Sequence, residues 1–334
     1  MISWPNRWPN LSPIERCSGV PRALISKVTQ RPGTNQPVAS ELATQAAGSA
    51  RTLHARLCCS AHRWREDRRL EATAENRYVL STVDAATESK RLGLLAQRFD
   101  AGTIRRLGEL GVTKGWRCLE VGAGHGSIAR WLADRVGPVG SVVAADIDTR
   151  LLTGLPDNVE VRELDIRAQD LEPEFDLAHC RALLMHLPDP DAALARIVAA
   201  LRPGGVLLAE EGDFGLLHFG GHPNSAAQND AHQQILTTMR EARIMDGYLG
   251  RTLPDMLLAS GLELQFAEID SATGRPGEAE YEWLRTALLE ATAKLVAGGV
   301  IDAATRRTVE EFFSTSGTVV TSISLVAGGG RKPT

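Results

Sequence analysis

Residues 118–127, C-L-E-V-G-A-G-H-G-S, constrain this chain more than any other stretch. They read as a short buried strand ending in an acid, then three glycines at alternate positions, then a helix. Such a strand–loop–helix junction lets backbone come very close to a ligand. The bland alternative is a tight turn that binds nothing. The next elements argue against it. Ser141, Val142, Val143, Ala144 and Ala145 form a second apolar strand, ending at Asp146. That acid lies 24 positions beyond Gly122, about the spacing of a ribose-binding carboxylate in a nucleoside-binding α/β domain.

The glycine spacing separates two chemistries. Dinucleotide sites use G-x-G-x-x-G and hold a pyrophosphate at the helix start. This chain has E-x-G-x-G-x-G, with Glu120 in front. A carboxylate there repels a pyrophosphate and suits an ammonium. On these residues the chain resembles the class I S-adenosylmethionine-dependent methyltransferases, over residues 77–333. A second likeness precedes the sheet: Tyr78, Leu80, Glu88, Arg91 and Leu92 resemble the Y-x-L…E-x-x-R-L lead-in of small-molecule methyltransferases.

Composition limits the alternatives. The chain has 334 residues, 43% of them hydrophobic, as in ordinary globular proteins. No apolar run reaches the ~18–20 residues that span a bilayer. The N-terminus lacks a secretory core. The five cysteines show neither a disulfide framework nor a metal spacing, and His54, Cys58, Cys59 and His62 do not make a zinc pattern. No metal is expected, and a reducing cytoplasm fits. The net charge of −4 hides an asymmetry. Residues 1–70 hold eleven Lys/Arg against four Asp/Glu; the remainder holds 26 against 37. The basic, Pro- and Arg-rich segment 1–70 reads as a disordered extension, and 71–334 as the methyltransferase domain. The acidic balance of the folded part argues against a nucleic-acid substrate.

From residue 75 strands and helices alternate, the signature of a parallel sheet. A helix over 88–110 carries Leu92, Leu95, Phe99, Ile104 and Leu107 on one stripe. Strands are expected at 117–121, 141–145, 159–165, 175–180 and 206–210. The helix after strand four begins near Asp191 as N-cap, and residues 202–205 form a turn. Residues 214–252 read as a partly helical lid, followed by a sixth strand at 262–267 and a last one near 318–327. The order implies an α/β, Rossmann-like, seven-stranded mostly parallel sheet with helices on both faces, plus that helical lid between strands five and six. In the family the last strand inserts antiparallel.

The resemblance also implies site residues. Glu120, Gly122, Ala123, Gly124 and Gly126 would surround the methionine tail and ribose of S-adenosyl-L-methionine. Asp146 would accept from both ribose hydroxyls, and Ile147 would pack on the adenine. Asp165 would accept from the adenine amine, with Ile166 on the other face of the ring. Tyr78 would close over the cofactor, and Arg181 would contact the methionine end. His186 is the candidate general base. Glu210, Glu211 and Asp213 leave strand five at the same rim, unranked. The acceptor is then a small or lipid-like molecule, with a homodimer compatible with the pattern. Two other readings stay open: a nicotinamide-dependent oxidoreductase on a Rossmann fold, and a non-catalytic S-adenosylmethionine-binding protein.

Overall fold

The structure, a computed structural model, describes residues 85–334. Helix α1 (Ala85–Glu109) opens it. Glu88 and Arg91 pair along its first turns at 2.6 Å, the i,i+3 contact that their spacing allows. The buried face carries Phe99, Thr103, Arg106 and Leu107, so a hydroxyl and a guanidinium share the apolar stripe. Gly111 (φ 86°) ends the helix, and the Val112 N–H returns to the Leu107 carbonyl.

Strands β1 (Arg117–Val121), β2 (Ser141–Asp146), β3 (Val159–Glu163), β4 (Phe175–Arg181) and β5 (Leu201–Asp213) follow. Helices α2 (Ser127–Val136) and α3 (Pro190–Ala200) connect them. Beyond β5 come β6 (His218–Gly220), α4 (Ser225–Glu241), α5 (Leu253–Ala259), β7 (Glu263–Asp270) and β8 (Thr273–Gly274). The last elements are α6 (Ala279–Ala297), α7 (Ala303–Ser314), β9 (Val319–Thr321) and β10 (Ser324–Arg331). The main sheet has seven strands in the order β3-β2-β1-β4-β5-β10-β7. β10 runs antiparallel to both its neighbours, and the remaining pairs are parallel. The order reverses at β1, which lies between β2 and β4. A crevice outside the carboxyl ends opens at such a switch point.

Side-chain alternation divides the core. Cys118, Val142, Leu177, Val206 and Leu208 pack with α1 and α2; Leu119, Val143, Ala178, Cys180, Leu207 and Ala209 pack with α3 and α5. Both faces are covered, which is why these strands read as nearly unbroken apolar runs.

Three local expectations change. The N-cap of α3 is Asp189, whose carboxylate accepts from the Ala192 N–H at 3.0 Å; Pro190 fills the first helical position and displaces the cap from Asp191. Residues 202–205 belong to β5, because the C-terminal Lys332 exchanges backbone bonds with Gly204 and Gly205. The same lysine's Nζ caps carbonyls at the end of α3, reaching Val198 at 3.0 Å and Leu201 at 2.6 Å. The expected last strand is two strands, β9 and β10. β9 joins β6 and β8 in a separate three-stranded antiparallel sheet.

That second sheet alters the view of 214–252. The segment contributes a strand, and its Leu217 and Phe219 pack with Phe99, Tyr281, Trp283 and Phe312 in an aromatic cluster. Its Leu236, Met245 and Leu249 belong to the core on the α3 side of the main sheet. It is a cap built jointly with α6, α7 and β9, more than a helical flap.

Candidate active site

The loop between β1 and α2 is fixed by backbone bonds. The N–H groups of Gly122 and Ala123 both donate to the Ala145 carbonyl, at 2.8 and 3.1 Å. Gly122, Gly124 and Gly126 all have left-handed φ, at 73°, 57° and 79°. A side chain at any of the three would be strained, so the spacing G-x-G-x-G is conformational in origin. The Gly124 N–H donates to Asp146 Oδ2 at 2.8 Å, and the Asp148 N–H to Oδ1 at 3.0 Å. Asp146 therefore clamps the glycine loop to the end of β2. Burial raises its carboxyl pKa, against the pull of those N–H groups. Each of its oxygens keeps acceptor capacity for a hydroxyl. Ile147, beside it, is 51% exposed, an apolar side chain turned outward at the site rim.

Below the loop lies a row of buried charge. Glu120 and His179 are register partners on β1 and β4, and Glu210 follows on β5. All three side chains share the face that α1 covers. His179 Nδ1 lies 2.9 Å from Glu120 Oε2, and Nε2 lies 3.2 Å from Glu210 Oε2. Burial alone would lower the imidazole pKa, but the two carboxylates outweigh it and raise it to about 9. The two carboxylates thus favour the imidazolium form. From α1, the Thr103 hydroxyl donates to Glu210 at 2.6 Å, and Arg106 bridges Glu210, at 2.8 Å, to Glu268. Burial would raise the Glu210 carboxyl, but His179, Arg181 and Thr103 hold it below the usual range.

Arg181 donates to Thr103 Oγ1 and to Asp100 Oδ1, both at 2.8 Å. Its guanidinium is tied beneath α1, which leaves its backbone as its contribution to the crevice. Ala182 follows in a left-handed conformation (φ 51°). Residues 183–185 then bend around Glu211, which accepts the N–H groups of Leu183 (3.0 Å), Leu184 (2.7 Å) and Met185 (3.3 Å). Burial raises the Glu211 carboxyl to about 7, against those three donors. Asp213 is bound by Arg251 at 2.7 Å and by the Gly215 N–H. All three acids at the end of β5 are therefore committed: Glu210 to the buried row, Glu211 and Asp213 to the backbone and side chains of the rim.

His186 is half-buried after this turn. Burial, with Arg91 nearby, lowers its imidazole pKa to about 4. A neutral imidazole of that basicity is a weak proton acceptor at pH 7. His125, within the glycine loop, is also lowered by burial, with Asp100 opposing and Arg130 and Arg181 adding to the effect. Asp165 pairs with Arg167 at 2.8 Å, which lowers its carboxyl pKa. Ile166 is 5% exposed and packs into the core on the α3 face. Tyr78 lies outside the described residues, as does the boundary near residue 71.

The structure thus brings Glu120, Gly122, Ala123, Gly124, Gly126, Asp146, Ile147 and Arg181 to the carboxyl ends of β1, β2 and β4. Asp165 and Ile166 follow β3, on the flank. Asp100, Thr103 and Arg106 were missed, although polar residues at 100, 103 and 106 beside an apolar stripe were a readable signal. The rim is covered by two leucines: a Cβ at Gly122 would lie 3.3 Å from Leu183, and one at Gly124 3.4 Å from Leu92. A cavity of about 230 Å³ lined by Gln234, Thr238 and Asp302 lies elsewhere, on the α4–α7 side.

Known proteins are similar to this chain in sequence. The methyltransferase-domain family matches residues 71–265. The methyltransferase str3 of Strobilurus tenacellus is 29% identical over 194 residues, covering 56% of this chain and 66% of its own length. The methyltransferase str2 of the same organism is 33% identical over 150 residues, covering 43% and 52%. The chain therefore spans between about half and two thirds of the length of these relatives. A ubiquinone biosynthesis O-methyltransferase of Alkalilimnicola ehrlichii is 34% identical over 102 residues, 29% of this chain and 41% of that protein. Among solved structures, phosphoethanolamine N-methyltransferase 2 of Haemonchus contortus is similar at 16% identity and a TM-score of 0.41, covering 74% of this chain and 53% of that one. With more than half of its residues matched and its sheet in the order shown above, the chain belongs to the methyltransferase-domain family, on the class I fold.

Proposed function

We propose that this protein is an S-adenosylmethionine-dependent methyltransferase with a small-molecule acceptor. The observation that carries the cofactor assignment is a buried carboxylate, Glu120, directly under a glycine loop at the sheet's switch point. A nicotinamide dinucleotide would bring its pyrophosphate to that loop, against the carboxylate. An amino-acid tail brings an ammonium. The residues fit the cofactor in other respects: Asp146 keeps acceptor capacity for two hydroxyls, and Ile147 presents an exposed apolar side chain beside it.

When bound, the cofactor supplies a methyl group already activated by its sulfonium. The chain's part is to orient it and exclude water. Glu120 would hold the ammonium, Asp146 the ribose, and the glycine backbone the bridge between them. Asp165 would reach the adenine amine by giving up part of its pairing with Arg167. The acidic and imidazole groups at the rim are committed or weakly basic, so we assign no dedicated base. His186 shapes the turn after β4. The acceptor then needs a nucleophile that is anionic at working pH or loses its proton to water, such as a phenol or enol.

The acceptor class rests on the cap. The aromatic residues Phe99, Phe219, Trp283 and Phe312 form the buried core of that cap, which stands beside the exit of β5. The relative named for ubiquinone biosynthesis favours the same class. Equilibrium dialysis with S-adenosylhomocysteine and with NAD tests the cofactor; preferential NAD binding would sink the reading. Transfer of labelled methyl to panels of phenols, quinols and amines then tests the acceptor. Cofactor binding without turnover on any of them would favour a sensor.

A further inference from the structure

Beside the rim acids, one buried imidazole joins two carboxylates. His179 is fully buried and spends both ring nitrogens on carboxylates of neighbouring strands. A parallel sheet's interior takes apolar side chains, and Leu177, two residues earlier on the same face, is one. A buried charged row is costly, and an apolar row of similar volume is often as stable or more so. A ligand at one end of the row would account for it.

The two ends of the row differ. Glu210 is fully enclosed, and its remaining lone pairs go to Thr103 and Arg106. Glu120 keeps 7% side-chain exposure, while His179 and Glu210 keep none. Of the three, only Glu120 opens toward the glycine loop, two residues before Gly122; beyond Glu210 the charge continues through Arg106 to Glu268, away from the loop. Glu120 Oε2 is taken by His179 Nδ1, and Oε1 is left for a cation arriving at the loop. The imidazole is itself fixed from behind by Glu210, which is fixed in turn by two residues of α1. Such a chain of hydrogen bonds sets the rotation of a carboxylate the way an outer-shell partner sets a metal ligand.

We propose that His179 is a positioning residue: its Nδ1–H holds Glu120 so that the free carboxylate oxygen faces the ammonium of the cofactor's amino-acid tail. The inference rests on the S-adenosylmethionine reading. It predicts that His179 matters for the tail of the cofactor and not for its nucleoside.

Two near-isosteric substitutions separate the nitrogens. In H179N the amide nitrogen takes the place of Nδ1 and keeps the donor to Glu120. In H179Q it takes the place of Nε2 and keeps only the contact to Glu210. S-adenosylhomocysteine carries the tail; 5′-methylthioadenosine lacks it. We expect H179Q to bind S-adenosylhomocysteine about tenfold more weakly than the wild type, the size of one lost charge-assisted hydrogen bond. H179N should stay within about threefold. Both variants should bind 5′-methylthioadenosine as the wild type does. Equal losses for the two ligands, or H179N as weak as H179Q, would overturn the proposal in favour of a purely structural histidine. A wild-type measurement covers the case of variants that do not fold. In ¹⁵N-histidine-labelled protein, the His179 Nδ1 resonance should move with S-adenosylhomocysteine and not with 5′-methylthioadenosine. Identical shifts with both ligands would also overturn it. Failure of the wild type to bind S-adenosylhomocysteine at all would instead defeat the cofactor reading, and the inference with it.

Discussion

Asp146 does two jobs that pull in different directions. It is the expected ribose acceptor, and it also holds the Gly124 N–H. D146A should therefore weaken S-adenosylhomocysteine by well over tenfold, since each charge-assisted bond is worth about 1.5–3 kcal/mol. Isothermal titration would measure it, and an unchanged affinity would show the ribose to be misplaced. Part of the loss comes through the loosened loop, so the variant should also unfold at lower urea. Gly126 separates the loop's conformation from ligand contact. Its φ is 79°, and a Cβ there would sit 2.9 Å from the Leu155 side chain. G126A should cost about 1–2 kcal/mol from the left-handed backbone alone, read from urea denaturation without ligand. The residues whose conformation the sequence dictates, the three glycines, were legible. Glu120, Gly122, Gly124, Gly126 and Asp146 stand where their spacing put them. His179 was not legible as a bridging group, because its two partners are 59 and 31 residues away and only strand register brings them together.

At the scale of elements, the row across β1, β4 and β5 makes a pH dependence. Burial would lower the His179 imidazole, but Glu120 and Glu210 raise it from 6.5 to about 9. The folded protein then holds a proton that the unfolded chain releases. The stability this gives is complete below about pH 6.5 and is lost as pH rises to about 9. The shift corresponds to about 3 kcal/mol. Urea midpoints between pH 6.5 and 9 should fall in the wild type and fall much less in H179Q; parallel slopes would mean the proton sits elsewhere. The segment 214–252 gives a second prediction. Phe219 is 1% exposed and Leu236 2%, so replacing 216–248 by a short linker should unfold the protein. L236A alone should cost about 2–5 kcal/mol. A folded deletion variant, judged by circular dichroism and size exclusion, would restore the view of a detachable lid. Helical spacing of Ile235, Leu236 and Met239 was readable from sequence. That β6 pairs with β9, about a hundred residues later, was not, because strands of three residues have too little periodicity to announce a partner.

At the scale of the whole molecule, S-adenosylhomocysteine at a hundred times its dissociation constant should stabilise the fold by about 2.7 kcal/mol. For a unit of this size that is a rise in melting temperature of about 5–10 °C. NAD at the same concentration should leave the transition unmoved, and scanning calorimetry distinguishes the two. Among the described residues no helix is long and apolar enough to cross a membrane. The sequence by itself determined the alternation of strands and helices, the conformation of the glycine loop and the place of its acids. Those depend on local backbone sterics and on hydrophobic period, which act within a dozen residues. Tertiary structure decided the rest. It inserted β10 antiparallel between β5 and β7, drew 214–252 into a shared cap, and turned Glu210, Glu211 and Asp213 from unranked acids into braces. It also joined α1 to three strands through buried charge. The reason is physical: a carboxylate, an imidazole or a guanidinium takes its role from the groups that exclude water around it, and those come from distant parts of the chain.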